Sequence, residues 1–293
     1  MRDTLFLSDL DNCLFQSHRV NPKGIVPMTF KATGEPHCFA TVAQQILFET
    51  LKPRALCVAI TARTPDQMAR TRGWNPEHRH QLALTDHGAT LLYRDIESDD
   101  GWSEIPAWAQ AYRSQAVDSA VHLEHDEDQL RVALRNLVVP EHASAKLSMS
   151  HSFESKVPFY LTLQIKGLTS AEIEQVMTSV RHQLAPILEQ LQGTYIQHQN
   201  DYTLAFWPTY VNKRKAAERL IGLLKASGDD PVMQDERFAQ AIAEMGPAIG
   251  LVLTAGDSHS DIPFMMLGDF MLTPVASPIA SKAYEHAEQH MSI

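Results

Sequence analysis

The sequence predicts an α/β protein with a Rossmann-like, three-layer core built on a parallel sheet, and a smaller α+β domain inserted into that core. Three observations carry this prediction. Short apolar runs alternate with helical segments at the beginning of the chain, the same alternation returns near its end, and the pattern in between is different. Alternating strands and helices favour a parallel sheet covered by helices. The length of 293 residues, at roughly 150 residues per domain, also suggests two domains.

The first part of the chain alternates buried strands with helices. Residues 4–8 and 55–60 are apolar runs ended by polar residues, which is typical of buried strands. Residues 41–51 carry apolar residues at helical spacing, and Thr64 followed by Pro65 marks the start of a second helix. The order strand–helix–strand–helix favours a parallel sheet.

The alternation breaks after about residue 90. Helices and antiparallel strands are expected next, at residues 105–136, 146–153, 159–166, 170–191, 193–197 and 202–207. The segment 170–191 has the apolar spacing of one long amphipathic helix. A helix across antiparallel strands is an α+β layer. The predicted division is therefore a core of residues 1–90 and 208–293, with an inserted domain at residues 91–207.

The parallel pattern resumes after the insertion. Residues 215–225 and 238–244 are expected to be helical, and residues 249–254 and 270–272 to be strands. The core is thus expected to be built from both ends of the chain.

The composition favours an enzyme of the cytoplasm. Lys and Arg number 25 against 35 Asp and Glu, a net charge of −10, which argues against a nucleic-acid partner because such binding needs a basic face. No apolar stretch reaches the ~18–20 residues that cross a bilayer, so no membrane partner is expected, and the first residues lack a signal-peptide layout. The three cysteines, Cys13, Cys38 and Cys57, are too few for a disulfide framework and indicate a reducing compartment.

The negative charge is unevenly distributed along the sequence. Residues 94–207 contain 16 Asp and Glu against 8 Lys and Arg, which leaves a net charge of only −2 for the rest. The acidity is therefore expected on the inserted domain. A solvated acidic surface disfavours large polyanions, which favours a small substrate.

Polar residues directly follow each predicted parallel strand. They are Asp9 and Asp11 after the first strand, Thr61 and Arg63 after the second, and Asp257, Ser258, Ser260 and Asp261 after a later one. Because ligands bind outside the carboxyl ends of the strands in an open parallel sheet, these residues are expected to share one crevice.

This set of residues suits phosphoryl transfer. Oxygen donors without His or Cys favour a hard cation such as Mg²⁺, which binds through carboxylates and substrate phosphate. Asp9 is a candidate nucleophile that forms an acyl-phosphate, and Asp11 a candidate general acid and base. Thr61 is a candidate donor to a phosphoryl oxygen, and Lys213 is a candidate for neutralising the remaining charge.

Four segments resemble the four motifs of the haloacid dehalogenase superfamily, in the same order. The first is a hydrophobic strand followed by Asp-x-Asp, and the last is Gly-Asp-x-x-x-Asp. They stand at residues 5–12, 59–63, 212–217 and 256–261. The resemblance implies this superfamily's fold for the core and a class II cap for the insertion, which lies between the second and third motifs. Residues 86–89 are similar to the Asn-Gly-Ala of the Cof-like and sucrose-phosphate-phosphatase-like branch.

The resemblance also implies a metal site. Asp9 would be nucleophile and Mg²⁺ ligand, and Asp11 would be the general acid and base whose backbone carbonyl is a ligand. Asp257 would be the third protein ligand. Asp261 and Ser260 would support the metal, and Asp261 would contact the metal's waters and Lys213.

Thr61, Arg63 and Lys213 would bind the substrate's phosphoryl group. Two choices remain open here. Lys213 matches the superfamily better than Lys215, which would then be a solvated lysine of the first helical turn. Arg63 either binds phosphate or pairs with an acidic residue of the core.

The expected function is therefore that of a Mg²⁺-dependent phosphatase, a phosphoric monoester hydrolase. It would cleave a small phosphorylated metabolite, expected to be a sugar phosphate, through an aspartyl-phosphate intermediate. Two alternatives remain: a phosphomutase of the same fold, and a catalytically weakened protein that binds phosphorylated ligands. The second rests on two departures from the superfamily pattern, Cys13 in place of the usual Thr and Ser260 in place of the usual Asn.

Overall fold

The structure is a computed structural model that describes residues 3–118, 123–151, 158–169, 171–200, 202–225, 229–243 and 249–291. The chain forms two compact units. The larger unit comprises the residues up to Trp108 and those from Asn212 onward, and the smaller unit is Ala109–Val211.

The helices and strands follow one another in three groups. The first part of the chain contains β1 (Thr4–Ser8), β2 (Val26–Phe30), β3 (Pro36–Ala40), α1 (Val42–Leu51), β4 (Ala55–Ile60), α2 (Pro65–Ala69), β5 (His80–Thr85), β6 (Thr90–Asp95), β7 (Ser103–Glu104) and α3 (Pro106–Asp118). The middle part contains α4 (Leu123–Leu134), β8 (Ser144–His151), β9 (Pro158–Lys166), α5 (Ile173–Gln183), α6 (Ala185–Gln190), β10 (Tyr195–Asn200) and β11 (Thr203–Pro208). The last part contains α7 (Lys213–Lys225), α8 (Glu236–Ala243), β12 (Leu251–Ala255), α9 (Ile262–Met265), β13 (Phe270–Leu272) and α10 (Pro278–Met291). None of the helices in the described ranges is both long and apolar enough to span a bilayer.

The predicted parallel sheet is confirmed as the centre of the larger unit. Its seven strands have the order β13-β12-β1-β4-β5-β6-β7. The first five are parallel to one another, and β6 and β7 are antiparallel additions. All six side chains of β4 are buried, as a central strand of a covered parallel sheet requires. Both α1 and α2 begin at the expected threonines, Thr41 and Thr64, each in a capping box with a glutamine three residues later.

The strand register brings the polar segments to one edge. The last residue of β1 lies opposite Ala59 in β4 and Ala255 in β12. Asp9, Thr61 and Asp257 therefore leave the sheet at its carboxyl edge, in neighbouring loops.

The β2–β3 hairpin was not predicted from the sequence. It is an antiparallel pair inserted between β1 and α1, and its register shifts around Pro27 and Thr29 obscure the period-two pattern that identifies a strand. Met28 and Cys38 of this hairpin are buried in the main hydrophobic cluster, so the hairpin is packed onto the core.

The smaller unit is an antiparallel sheet of order β10-β11-β9-β8 with helices packed on it through an apolar cluster. The single long helix expected at residues 170–191 is wrong: α5 ends at Gln183 and α6 begins at Ala185. Pro186 lies in the first turn of α6, where it lacks the amide hydrogen that would continue the preceding helix. Parts of three predicted elements, at residues 119–122, 152–153 and 170, lie outside the described residues, as does the predicted end of a helix at Glu244.

The boundaries of the units differ from the predicted ones. Residues 91–104 fall within the predicted insertion, but β6 pairs with β5 and extends the large sheet, and the smaller unit begins at Ala109. Within Ala109–Val211 the sequence has 7 Lys and Arg against 11 Asp and Glu, a net charge of −4, and the larger unit carries −6. The expected concentration of acidity on the insertion is therefore wrong, because residues 95–104 belong to the larger unit.

Candidate active site

Asp9 lies directly beyond β1 and is buried. Its backbone N–H donates to the carbonyl of Ala255 (2.8 Å), and its own carbonyl accepts from the Ser8 hydroxyl (2.5 Å). The residue is only 6% exposed. The ends of β12 and β1 thus fix the backbone of Asp9.

Lys213, the first residue of α7, bridges two buried carboxylates. Its Nζ donates to Oδ1 of Asp9 (2.9 Å) and to Oδ1 of Asp261 (2.7 Å). Lys213 is 9% exposed, whereas Lys215 lies exposed on the same helix. The structure therefore brings Lys213 into the cluster, as the motif comparison favoured.

Asp257 completes a group of three buried carboxylates. Oxygen atoms of Asp9, Asp257 and Asp261 lie within 4.8 Å of one another. Gly256 permits this approach, because a Cβ at that position would lie 2.6 Å from Cβ of Asp261. Asp11, which was expected to be near this group, does not contribute its carboxylate to it.

Both carboxylate oxygens of Asp261 are engaged. Oδ1 accepts from Lys213, and Oδ2 accepts from the backbone N–H (3.1 Å) and the hydroxyl (2.8 Å) of Ser258. Ser260 is exposed, and its Oγ is 2.7 Å from that of Ser258. Ser258 is thus the direct partner of Asp261, a role that the sequence did not single out.

Burial dominates the electrostatics of this group. It raises the pKa of Asp9 well above the usual carboxyl value, against the influence of Lys213 and with that of Asp261 and Asp257. Burial and Asp261 also raise the pKa of Asp257 to about 6. For Asp261 burial is outweighed by Lys213 and the Ser258 hydrogen bonds, so its pKa is lowered. One lysine therefore compensates three carboxylates incompletely, and a divalent cation would offset the remainder.

Thr61 is buried in the loop after β4, and the loop after β5 holds it there. Its Oγ1 accepts from the backbone N–H of Arg63 (3.2 Å). The carbonyls of Thr61 and Arg63 accept from the N–H groups of His87 and Asp86 respectively (both 2.9 Å). These bonds fix the backbone of the segment expected to bind phosphate.

The loop after β5 has an unusual backbone. Asp86, His87 and Gly88 all have positive φ, at 56°, 57° and 95°. At Gly88 a Cβ would lie 2.3 Å from Cβ of Ala216 in α7. The loop therefore lies tightly against the helix that carries Lys213, which explains a glycine here.

Arg63 pairs with Asp11. Its Nε and Nη2 donate to Oδ2 and Oδ1 of Asp11 at 2.7 and 2.6 Å, a two-pronged ion pair. The guanidinium also lies over the ring of Phe15, 5.1 Å from its centroid. The sequence left two roles open for Arg63, binding of phosphate or pairing with an acidic residue. In the structure Arg63 pairs with an acidic side chain.

Cys13 is buried, and its thiol is 3.9 Å from the Ser8 hydroxyl. Burial, reinforced by Asp9, raises the pKa of this thiol well above its usual value. It is therefore an unreactive thiol packed near Asp9.

The donor set fits a hard divalent cation. Asp9, Asp257 and Asp261 offer only carboxylate oxygens, the ligands that Mg²⁺ prefers. Since Asp261 uses both oxygens in hydrogen bonds, Asp9 and Asp257 are the residues best placed to hold the ion, with Asp261 as their support.

No protein-family model matches the sequence, and no curated protein matches it. Solved structures match the fold. The C-terminal domain of trehalose-6-phosphate phosphatase from C. albicans matches over 90% of this chain and 72% of that chain, with 14% identity and a TM-score of 0.50. An N-terminally truncated IMP-nucleotidase from Plasmodium falciparum matches over 99% of this chain and 71% of that chain, with 12% identity and a TM-score of 0.50. The chain therefore shares its fold with these two proteins, and the predicted α/β core with a parallel sheet and an α+β insertion is confirmed.

Proposed function

We propose that this chain is a phosphatase that hydrolyses a phosphate monoester of a small metabolite, with a sugar phosphate as its substrate. The observation that carries the proposal is the buried group of Asp9, Lys213, Asp261 and Asp257 at the carboxyl edge of the parallel sheet. Burying three carboxylates around one ammonium group costs free energy that an ordinary core would avoid. Binding of an anionic substrate and a divalent cation would give these buried charges a function.

Asp9 is the proposed nucleophile. Its carboxylate attacks phosphorus and the bond from phosphorus to the ester oxygen breaks, which gives an aspartyl-phosphate and an alcohol; water then releases phosphate and restores Asp9. Lys213 holds Oδ1 of Asp9 in place and supplies positive charge beside the reacting oxygens. Thr61, whose backbone is fixed by the loop after β5, is the proposed donor to a phosphoryl oxygen.

Asp9 and Asp257 are proposed to hold Mg²⁺, together with the backbone carbonyl of Asp11. Bound there, the ion would neutralise phosphoryl charge during the transfer. Asp261 keeps Lys213 in position, and Ser258 and Ser260 extend this support outward from the sheet.

Asp11 is the proposed general acid and base. It would give a proton to the departing alcohol and later take one from the attacking water. Arg63 orients its carboxylate through two hydrogen bonds, so Arg63 acts through Asp11 as well as through its positive charge.

The substrate class is supported by the two structures with the same fold. One is a trehalose-6-phosphate phosphatase and the other an IMP-nucleotidase, and both names describe phosphate monoesters of small metabolites. The smaller unit is proposed to be the cap that selects the substrate. The cytoplasmic location remains a prediction, supported by three buried free cysteines.

The proposal is tested by measuring phosphate release from sugar phosphates, nucleotides and phosphorylated acids, with Mg²⁺ and with EDTA. We expect release that needs Mg²⁺ and is lost in Asp9→Asn by roughly 10³-fold or more, as for loss of a catalytic nucleophile. Asp3→Asn, an exposed carboxylate just before β1, is the matched control and should keep full activity. Full activity in Asp9→Asn would refute the mechanism.

Two further outcomes separate the alternatives. A requirement for a bisphosphate activator with little net phosphate release would identify a phosphomutase. Binding of phosphorylated ligands without turnover of any of them would identify a binding protein.

A further inference from the structure

We propose that a pocket beside Asp11 binds a second acidic group, a carboxylate or a phosphate, on the organic part of the substrate. This inference rests on the proposed function for the reaction. Lys31 and Arg70, which would recognise the second acidic group, take no part in that reaction. The pocket has a volume of about 370 Å³ and lies wholly within the larger unit. Its polar lining comes from the β2–β3 hairpin, from α2 and from the loop after β4, and includes Thr29, Lys31, His37, Arg63, Gln67 and Arg70.

The walls of the pocket are fastened to the core. Gln16 and Phe39 exchange two backbone hydrogen bonds (3.0 and 2.8 Å), which tie β3 to the segment after Asp11. The N–H of Phe30 donates to the carbonyl of Arg70 (3.1 Å), which ties β2 to the residue after α2. The pocket is therefore preformed, as binding sites for small molecules generally are.

The lining carries an excess of positive charge. Lys31, Arg63 and Arg70 are cationic, and Asp11 is the one acidic residue among the lining residues described. Arg63 already neutralises Asp11 through the two-pronged ion pair. Lys31 and Arg70 remain to attract an anion.

Arg70 is the strongest of these attractors. It is partly buried, and no carboxylate of the described residues lies within ion-pair distance of its guanidinium. Lys31 has a partner, Glu35, at 3.1 Å, but both side chains are more than half exposed, and such a pair contributes little. A carboxylate or phosphate on Arg70 and Lys31 would gain charge-assisted hydrogen bonds without breaking a buried pair.

The pocket also has neutral hydrogen-bonding groups. Burial, together with the nearby Arg63, lowers the pKa of His37, so this ring is a neutral partner at physiological pH. Gln67 adds an amide to the same wall. Such a mixture suits the oxygen atoms of an acid and its neighbouring hydroxyl groups.

The location of Asp11 connects the pocket to the reaction. Asp11 is both a lining residue and the proposed proton donor to the departing alcohol. The organic part of the substrate begins at that alcohol oxygen. A group in this pocket would therefore belong to the leaving alcohol, and the inserted hairpin would help select the substrate.

Matched ligand pairs test this inference. Calorimetry in EDTA, which prevents turnover, compares 6-phosphogluconate with glucose 6-phosphate, and fructose 1,6-bisphosphate with fructose 6-phosphate. The first pair differs by a carboxylate and the second by a phosphate. We expect tighter binding of the member with two acidic groups in at least one pair. We expect Arg70→Gln to weaken that binding about tenfold to a hundredfold, while binding of the member with one phosphate alone is unchanged. Lys31→Met should act in the same direction with a smaller effect.

Arg54→Gln is the matched control, because Arg54 is exposed and does not line the pocket. Equal affinity for both members of each pair, or a preference that survives in Arg70→Gln and Lys31→Met, overturns the inference. Binding that shows the preference in a protein without phosphatase activity would keep the pocket and refute the proposed function. Hydrolysis of phosphate monoesters without a preference for ligands with two acidic groups would keep the proposed function and overturn the inference about the pocket.

Discussion

The two compact units of this chain bury different kinds of side chain. In the larger unit the buried residues include Ser, Thr, Gln and His. They also include five acidic residues and one lysine: Asp9, Asp86, Glu104, Asp257, Asp261 and Lys213. Among the described side chains of the smaller unit, the buried residues are aliphatic and aromatic. Charged residues of the smaller unit, such as Glu127 and Arg131, pair on its helices at the surface.

This difference identifies the part of the molecule where buried charge costs folding free energy. Removing a charge from water costs free energy unless partners compensate it, and hydrophobic residues of similar size would generally be at least as stabilising. The smaller unit follows that rule. The larger unit departs from it at the carboxyl edge of its sheet, where the proposed chemistry needs charge.

The contrast between the buried charges of the larger unit and the apolar core of the smaller unit is tested most strongly at Lys213. Replacing Lys213 with Met leaves Asp9 and Asp261 buried without their shared cation, and removing one partner of a buried ion pair typically costs about 3–5 kcal/mol. We expect a loss of this order in the free energy of unfolding, measured by urea denaturation, together with loss of phosphatase activity. Lys215→Met, two residues away and exposed, should leave both unchanged. An equal loss in the two variants would refute the special role of the buried pair.

A second prediction concerns the apolar core of the smaller unit. Leu163 of β9 is fully buried and lies opposite Leu204 in β11 and Leu147 in β8. Leu163→Ala should destabilise the protein by about 2–5 kcal/mol through loss of apolar contact and the cavity that remains. Because no charge changes, the loss measured by urea denaturation should be the same at pH 5 and pH 7.5. A clear dependence on pH would contradict the purely apolar description of this unit.

The smallest expected effect is at Asp86. Burial, with Glu104 nearby, raises the pKa of this carboxyl well above its usual value, and its Oδ1 has no hydrogen-bond partner among the described atoms. The folded chain thus binds this proton more tightly than the unfolded chain, so the wild-type protein loses stability as pH rises from the usual carboxyl value towards the raised one.

Asp86→Asn removes that titration. We expect the variant to gain stability relative to the wild type between pH 5 and pH 7.5, by roughly 1 kcal/mol or a few degrees in Tm. Thermal denaturation at both pH values measures it. Asp99→Asn, which removes an exposed carboxylate between β6 and β7, is the control and should show no such trend. A difference in Tm that is the same at both pH values would contradict the prediction.

Much of the fold of the larger unit could be predicted from short segments. The bounds of β1 and β4 match the apolar runs, and Thr41 and Thr64 begin their helices as expected, because local pattern and capping determine both. The β2–β3 hairpin and the extension of the sheet by β6 were missed. Both depend on pairing and packing against distant residues, which weak local patterns do not report.

In the candidate site, too, some features could be predicted from the sequence and others could not. The residue types that follow each strand can be read from the amino-acid sequence. Because parallel strands end together, this order already places Asp9, Thr61 and Asp257 at one edge of the sheet. Three partnerships are visible only in the folded chain: Lys213 bridges Asp9 and Asp261, Arg63 pairs with Asp11, and Ser258 contacts Asp261 directly. The first two partnerships, and the pKa values that follow from them, depend on distances between residues far apart in the chain and on how completely folding removes them from water. The contact of Ser258 with Asp261 depends on the turn after β12.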